Sequence, residues 1–361
     1  MKYFLKQFTL FYVVAGLVFT PFSSYAATKK HRSSTVVSSA KHKASSVKHK
    51  ASRVKSKSGY RTVKYHPSRI KVTARKSYLL SQSLPVMSAE TYDGSGALVL
   101  ASTKALVINQ NTNEVIYAKN TNTPTPIASV TKLMTAMVLL DAGLNLEEEV
   151  VISDGDIDYL KGTSSRLPLG TQLTRNELLH LALIASENRA ASALASTYLG
   201  GRAKFVRDMN LKAYSLGMIN THFSDSTGLD SSNVSTAEDL AKLVKAAYSY
   251  DLIREITTTT SYDVLLPNRH AMTTFKNTNI LVRNSDWDIG LSKTGFINEA
   301  GRCLVMQAKL AGEPVIIVLL DSEGKYTRIG DANRVRKWVE HNVVPKSIDA
   351  QTEPITVGQI Y

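Results

Sequence analysis

The chain has a single cysteine, Cys303, among 361 residues. No internal disulfide can form, so stability must come from a packed core. Cys303 lies in a strand-like run and reads as a buried, inert thiol. Acidic residues are missing from the start of the chain, and Glu90 is the first. No apolar run reaches the ~20 residues that a membrane-spanning helix needs. No H-E-x-x-H pattern and no clustered Cys/His set occurs, so neither a metal nor another cofactor is expected.

Positive charge is plentiful: 44 Lys and Arg stand against 30 Asp and Glu, a net +14. Its distribution is uneven. Residues 28–78 hold 16 Lys and Arg and no acid, around the repeat KHKASSVKHKASRVKSK. Without these and without Lys2 and Lys6, 26 basic groups face 30 acidic ones. All of the net positive charge therefore sits in this tract. With little apolar surface and strong self-repulsion, it should be disordered. Tyr60, Tyr65 and Tyr78 make no base-stacking platform, and no nucleic acid partner is expected. Anionic envelope polymers or a membrane surface are the expected partners; a solvated spacer is the alternative.

The N-terminus reads as an export signal. Lys2 and Lys6 precede an apolar run from Phe8 to Phe19, which Pro21 breaks. Ser24 and Ala26 place cleavage after Ala26; an uncleaved anchor is the alternative. No cysteine adjoins that position, which excludes lipid attachment there. The expected location is the periplasm or cell envelope. The expected organisation is a signal peptide over 1–26, a basic tail over 27–96, a body over 97–345 and a short tail over 346–361.

The body alternates between strand and helix signals. Lys104 to Asn109 and Glu114 to Ala118 flank a polar turn and predict a hairpin. A helix is predicted from Val130 to Ala142. Thr174-Arg175-Asn176-Glu177 is a capping box before an apolar run, so a second helix follows, ending at Ala185 to Asn188. Helices are also expected over Ala203 to Leu216 and, behind a capping box Ser235 to Glu238, over Leu240 to Tyr248. Strands are expected at Asp288 to Thr294, Gly301 to Leu310 and Val315 to Leu320, then a helix over Arg328 to His341. This order predicts an α/β fold with a central antiparallel sheet built from both ends of the chain, flanked by helices, with a helical insertion between.

Three short motifs carry candidate chemistry. Ser129 and Lys132 are three apart at the start of an apolar helix, so they share a face. A lysine desolvated among Met134 and Met137 loses basicity and becomes a usable base for the serine. Alone the spacing is common, and a helix-start serine before a snorkelling lysine shares it. Ser186-Glu187-Asn188 offers a hydroxyl and an amide to one cavity, or is a polar helix end. Lys293-Thr294-Gly295, at the end of a strand, offers a cation and a hydroxyl where glycine permits close approach; a strand ending at a turn looks the same.

In this order the three motifs are those of penicillin-binding proteins and class A β-lactamases. With PIASVTKLMTA, FSDSTGLDSSNVSTAEDLAKL and KTGFINEAGRCLV, the chain resembles the low-molecular-mass penicillin-binding proteins, the D-alanyl-D-alanine carboxypeptidase and endopeptidase family. The resemblance covers about residues 98 to 345 and implies a β-lactamase/transpeptidase-like sandwich. It implies that Ser129 attacks a D-Ala peptide bond, with Lys132 as base and Ser186 as proton relay. Asn188, Lys293, Thr294 and Gly295 would bind substrate. The backbone N–H groups of Ser129 and Phe296 would form the oxyanion hole. β-Lactams would acylate the same serine.

One position departs from the family. Ile297 stands where a threonine is common, removing a hydroxyl from the expected substrate rim. The tail SIDAQTEPITVGQIY has no basic amphipathic anchor helix. Both features point to the soluble endopeptidase branch, which cuts D-Ala–diaminopimelate cross-links in peptidoglycan. The alternative is a carboxypeptidase that trims terminal D-Ala. No E-x-x-L-N follows Ser186, so penicillin should trap the enzyme rather than be hydrolysed. A wall-binding protein with a vestigial site is the non-catalytic alternative.

Overall fold

The computed structural model describes residues 96–267 and 271–342. The signal segment, the basic tract and the C-terminal tail lie outside the described residues. No described helix is long and apolar enough to cross a membrane.

Five antiparallel strands form the central sheet. β1 (Lys104–Asn109) and β2 (Val115–Lys119) are the expected hairpin. β3 (Asp288–Ile297), β4 (Gly301–Leu310) and β5 (Glu313–Ser322) come from the other end of the chain. Their order is β2-β1-β5-β4-β3. β1 pairs with β5 in a register that sets Lys104 against Leu320 and Val107 against Ile317. The two chain ends thus meet at the sheet centre, as the element order predicts.

Helices cover both faces, which is why β5 reads as an unbroken apolar run rather than an alternating one. Ile316, Val318 and Leu320 enter one core; Val315, Ile317 and Leu319 enter the other. The second core is closed by α7 (Thr327–Asn342) through Ile329, Ala332, Val335 and Val339. The first core is the larger and holds the inserted helices. Its centre is α1 (Lys132–Asp141), buried at every position from Lys132 to Leu139. A helix apolar all round must be enclosed on all sides.

α2 (Arg175–Ile184) starts at the expected capping box: Thr174 accepts from the Glu177 N–H, and Glu177 returns the bond. Two helices were not legible in the sequence. α3 (Asn188–Ser196) is a run of Ala and Ser whose buried face carries a single large apolar side chain, Leu194. α6 (Asp251–Thr258) is two turns long and rich in β-branched residues. α4 (Gly201–Ser215) matches expectation. α5 (Ala237–Ala247) does too, with its cap one residue on: Thr236 accepts from Asp239 N–H. Ser235 is occupied in a short strand pair with Thr125.

Candidate active site

Ser129 does not lie on the α-helix. It sits in a 3₁₀ turn over Ala128–Thr131 that leads into α1. Three residues per turn bring positions i and i+3 into line, which strengthens the Ser129–Lys132 pairing. The turn is strained: Ala128 takes φ of 48°. Non-glycine residues hold such backbone only when their surroundings impose it. Gly228 packs so tightly here that a Cβ would stand 1.9 Å from the Ala128 carbonyl oxygen.

Lys132 has no solvent exposure. Its Nζ donates to Ser129 Oγ at 2.8 Å, to Asn188 Oδ1 at 2.8 Å and to the Thr227 carbonyl at 2.6 Å. All three ammonium donors are therefore matched. Burial pulls the Lys132 pKa down to about 7, against the opposing charges of Asp225 and Glu187. The amine is thus divided between its neutral and charged forms near neutrality, poised as a base.

Ser186 and Asn188 come from the junction between α2 and α3. Ser186 takes φ of 61°, turning the chain so that α3 begins at Asn188. Asn188 Nδ2 donates to Thr163 Oγ1 at 3.2 Å while its Oδ1 faces Lys132. Glu187 accepts from Ser165 Oγ at 2.8 Å and Arg166 Nε at 3.1 Å.

The K-T-G segment lies inside β3, not at its end, because pairing with β4 continues to Ile297 opposite Gly301. Lys293 is fully enclosed. Its Nζ donates to Ser186 Oγ at 3.0 Å and to the Thr294 carbonyl at 2.9 Å. Burial first, then the Lys132 and Arg328 charges, push its pKa well below the usual lysine range. Thr294 Oγ1 donates to Thr278 Oγ1 at 2.7 Å. Gly295 makes room for the turn that carries Ser129: a Cβ there would stand 2.8 Å from Ile127 O and 3.2 Å from Ser129 N. The backbone stretches carrying the Ser129 and Phe296 N–H groups therefore lie side by side. Ile297 points into the larger core at 6% exposure, not onto a substrate rim. A hydroxyl at that position would be buried too.

All the motif residues converge, and three further groups were missed by the sequence reading. Asp225 accepts from the N–H groups of Thr227, Gly228 and Asp230 at 2.7, 2.6 and 2.9 Å, and so shapes the loop. That loop presents the Thr227 carbonyl to Lys132. Arg328, at the start of α7, adds buried positive charge next to Lys293. The Asp-x-Thr-Gly spacing of 225–228 is a turn signal that could have been read. A backbone carbonyl acceptor and the arrival of Arg328 have no local signal.

The model of the D-alanyl-D-alanine carboxypeptidase family matches residues 91–324. The chain belongs to this family. It is 48% identical over 241 residues to a D-alanyl-D-alanine endopeptidase of Pseudomonas aeruginosa, covering 67% of this chain and 78% of the relative. It is 46% identical, with the same coverage, to a D-alanyl-D-alanine endopeptidase of Escherichia coli K12. The crystal structure of the Streptomyces K15 DD-transpeptidase superposes with a TM-score of 0.62 at 31% identity, covering 66% of this chain and 97% of that one. The sandwich expected from the sequence is the fold of this family, and the chain is a serine hydrolase.

Proposed function

We propose that this protein is a serine DD-endopeptidase that opens D-Ala–diaminopimelate cross-links in peptidoglycan. Neutral Lys132 takes the Ser129 proton as Oγ attacks the D-Ala carbonyl carbon. The Ser129 and Phe296 N–H groups hold the resulting oxyanion. Lys293 holds Ser186 in place; Ser186 gives its proton to the departing amine as the C–N bond breaks and takes up the proton that Lys132 holds, which returns Lys132 to its neutral form. The acceptor strand leaves with that amine, and an ester joins Ser129 to the donor strand. Water then attacks the ester carbon, losing a proton to Lys132, and Ser129 regains its own proton. Asn188 orients Lys132 and the substrate amide. Thr294 and Arg328 meet the carboxylate beside the departing amine. The 2.8 Å contact between a fully enclosed, weakened lysine and Ser129 carries this reading.

Thr294 and the Arg328 guanidinium suit a terminal D-Ala carboxylate equally well, so carboxypeptidase action is the second reading. Labelling with a fluorescent penicillin, beside digestion of purified cross-linked dimer and uncross-linked pentapeptide, separates them. A stable adduct lost in Ser129→Ala, with dimer cut faster than pentapeptide, is expected. Release of D-Ala alone selects the carboxypeptidase, and no adduct on folded protein sinks both. The N-terminal signal and basic tract support export and retention at the envelope. Removing residues 27–78 should then release the protein at lower salt than the intact form.

A further inference from the structure

Arg302 lies near the start of β4, opposite Phe296 in the register. Its guanidinium carbon stands 4.3 Å from the centroid of the Phe296 ring. Phe296 is half exposed and directly follows the K-T-G segment. The Arg302 Nε is buried without a hydrogen-bond partner, and so is the Nε of Arg328. Arg328 donates through Nη1 to the Lys325 carbonyl at 3.1 Å, which is no counter-charge.

Acids near this end of the sheet are committed elsewhere. Glu299 pairs with Lys161, and Asp321 pairs with Lys104 at 3.4 Å. Among the described residues no carboxylate pairs with Arg302 or Arg328. The two positive groups also act on each other: burial first, then the Arg302 charge, push the Arg328 pKa below the usual arginine range. Two neighbouring guanidinium groups without an acid are a cost in the free protein that an anionic ligand relieves. Stacking on Phe296 holds the planar fork in one orientation, with its edge donors free.

We propose that Arg302, held on Phe296, is a second carboxylate site that recognises the departing strand of a cross-link. This rests on the endopeptidase reading above. A terminal D-Ala leaves with one carboxylate, which Thr294 and Arg328 meet. An acceptor stem peptide leaves with that carboxylate and with others further along, such as the free α-carboxylate of its γ-linked glutamate. Arg302 lies on the neighbouring strand opposite Phe296, the residue that follows K-T-G, and takes such an outer group. It therefore selects cross-links over free termini.

The test uses Arg302→Gln and Arg302→Lys in the full chain. Substrates are a purified cross-linked dimer, the same dimer amidated at the acceptor glutamate, and pentapeptide. Fluorescent penicillin reports acylation. Loss of one charge-assisted contact should raise KM for the dimer about 10-fold in Arg302→Gln, with kcat within about 2-fold. Pentapeptide cleavage and penicillin acylation should change less than about 2-fold, and Arg302→Lys should recover part of the loss. Amidation should cost the wild type the same about 10-fold and Arg302→Gln nothing. An equal loss on dimer, pentapeptide and penicillin, or no loss on the dimer, overturns the proposal while leaving the endopeptidase reading intact. A wild type that binds penicillin and trims pentapeptide but leaves the dimer uncut overturns both.

Discussion

Lys132 projects from the first turn of α1 into three oxygen acceptors, with Asp225 and Glu187 behind them. Lys293 projects from the middle of β3 toward Ser186, with Lys132 and Arg328 as charged neighbours. Both are fully enclosed, and burial is the largest influence on each. The surrounding charges then pull in opposite directions. Acids restrain the fall at Lys132 and leave it near 7, where a proton can be taken and returned. Cations deepen the fall at Lys293. Burial makes a lysine weak; the sign of its neighbours decides how weak, and so which task it suits.

The largest test of this contrast removes each lysine in turn. Lys132→Met should lower the penicillin acylation rate by at least about 10³-fold on folded protein, since the proposed base is gone. Lys293→Met should lower it about 10²-fold, because Ser186 loses the Nζ partner that holds it. The loss should be the same across the acidic limb; a loss that vanishes at one end of the pH range would mean that Lys293 acts only through the charge on Lys132.

Gly228→Ala tests the frame that holds them. The added methyl overlaps the Ala128 carbonyl, and the φ of 81° at Gly228 disfavours any side chain. A destabilisation of about 2–4 kcal/mol is expected by chemical denaturation, with acylation slowed as the Thr227 carbonyl moves.

The stability cost of burying Lys132 has a defined sign. Its folded pKa of about 7 lies below the ordinary lysine value of 10.5. Between these values the unfolded chain binds the extra proton, so stability from this group rises with pH across the window and is lost as pH falls through about 7. Relative to Lys132→Met, the wild type should gain up to about 1.4 kcal/mol per pH unit above 7. Parallel stability curves from pH 7 to 10 would show that Lys132 stays charged in the fold.

The smallest effect is expected at Glu187→Gln. Removing one of the two acids that oppose the fall should lower the Lys132 pKa further, moving the acidic limb down by less than about one pH unit. A shift to higher pH would reverse the role assigned to the acid.

The five sheet strands, the cap of α2 and the long α4 and α7 were legible because pattern and cap chemistry are local. The three motifs were legible because each holds its residue types at short spacing. α3 and α6 were not, for the buried face of one is alanine with a single leucine and the other is two turns long. Misplacing K-T-G at a strand end and Ile297 at a rim had one cause: strand length and facing are set by β4, far outside the motif. The roles of Asp225, Thr227 and Arg328 depend on contacts that span tens of residues or more.

By itself, the sequence determined which residue types could do the chemistry, the strand and helix periods that carry them, and the segregation of basic charge into residues 28–78. Only the tertiary structure decided that Lys132 is stripped of water, that a backbone carbonyl from the 225–230 loop meets it, and that Arg302 and Arg328 share one end of the sheet with no carboxylate paired to either among the described residues. Solvation and electric field at an atom depend on everything packed around it, and these neighbours come from distant parts of the chain.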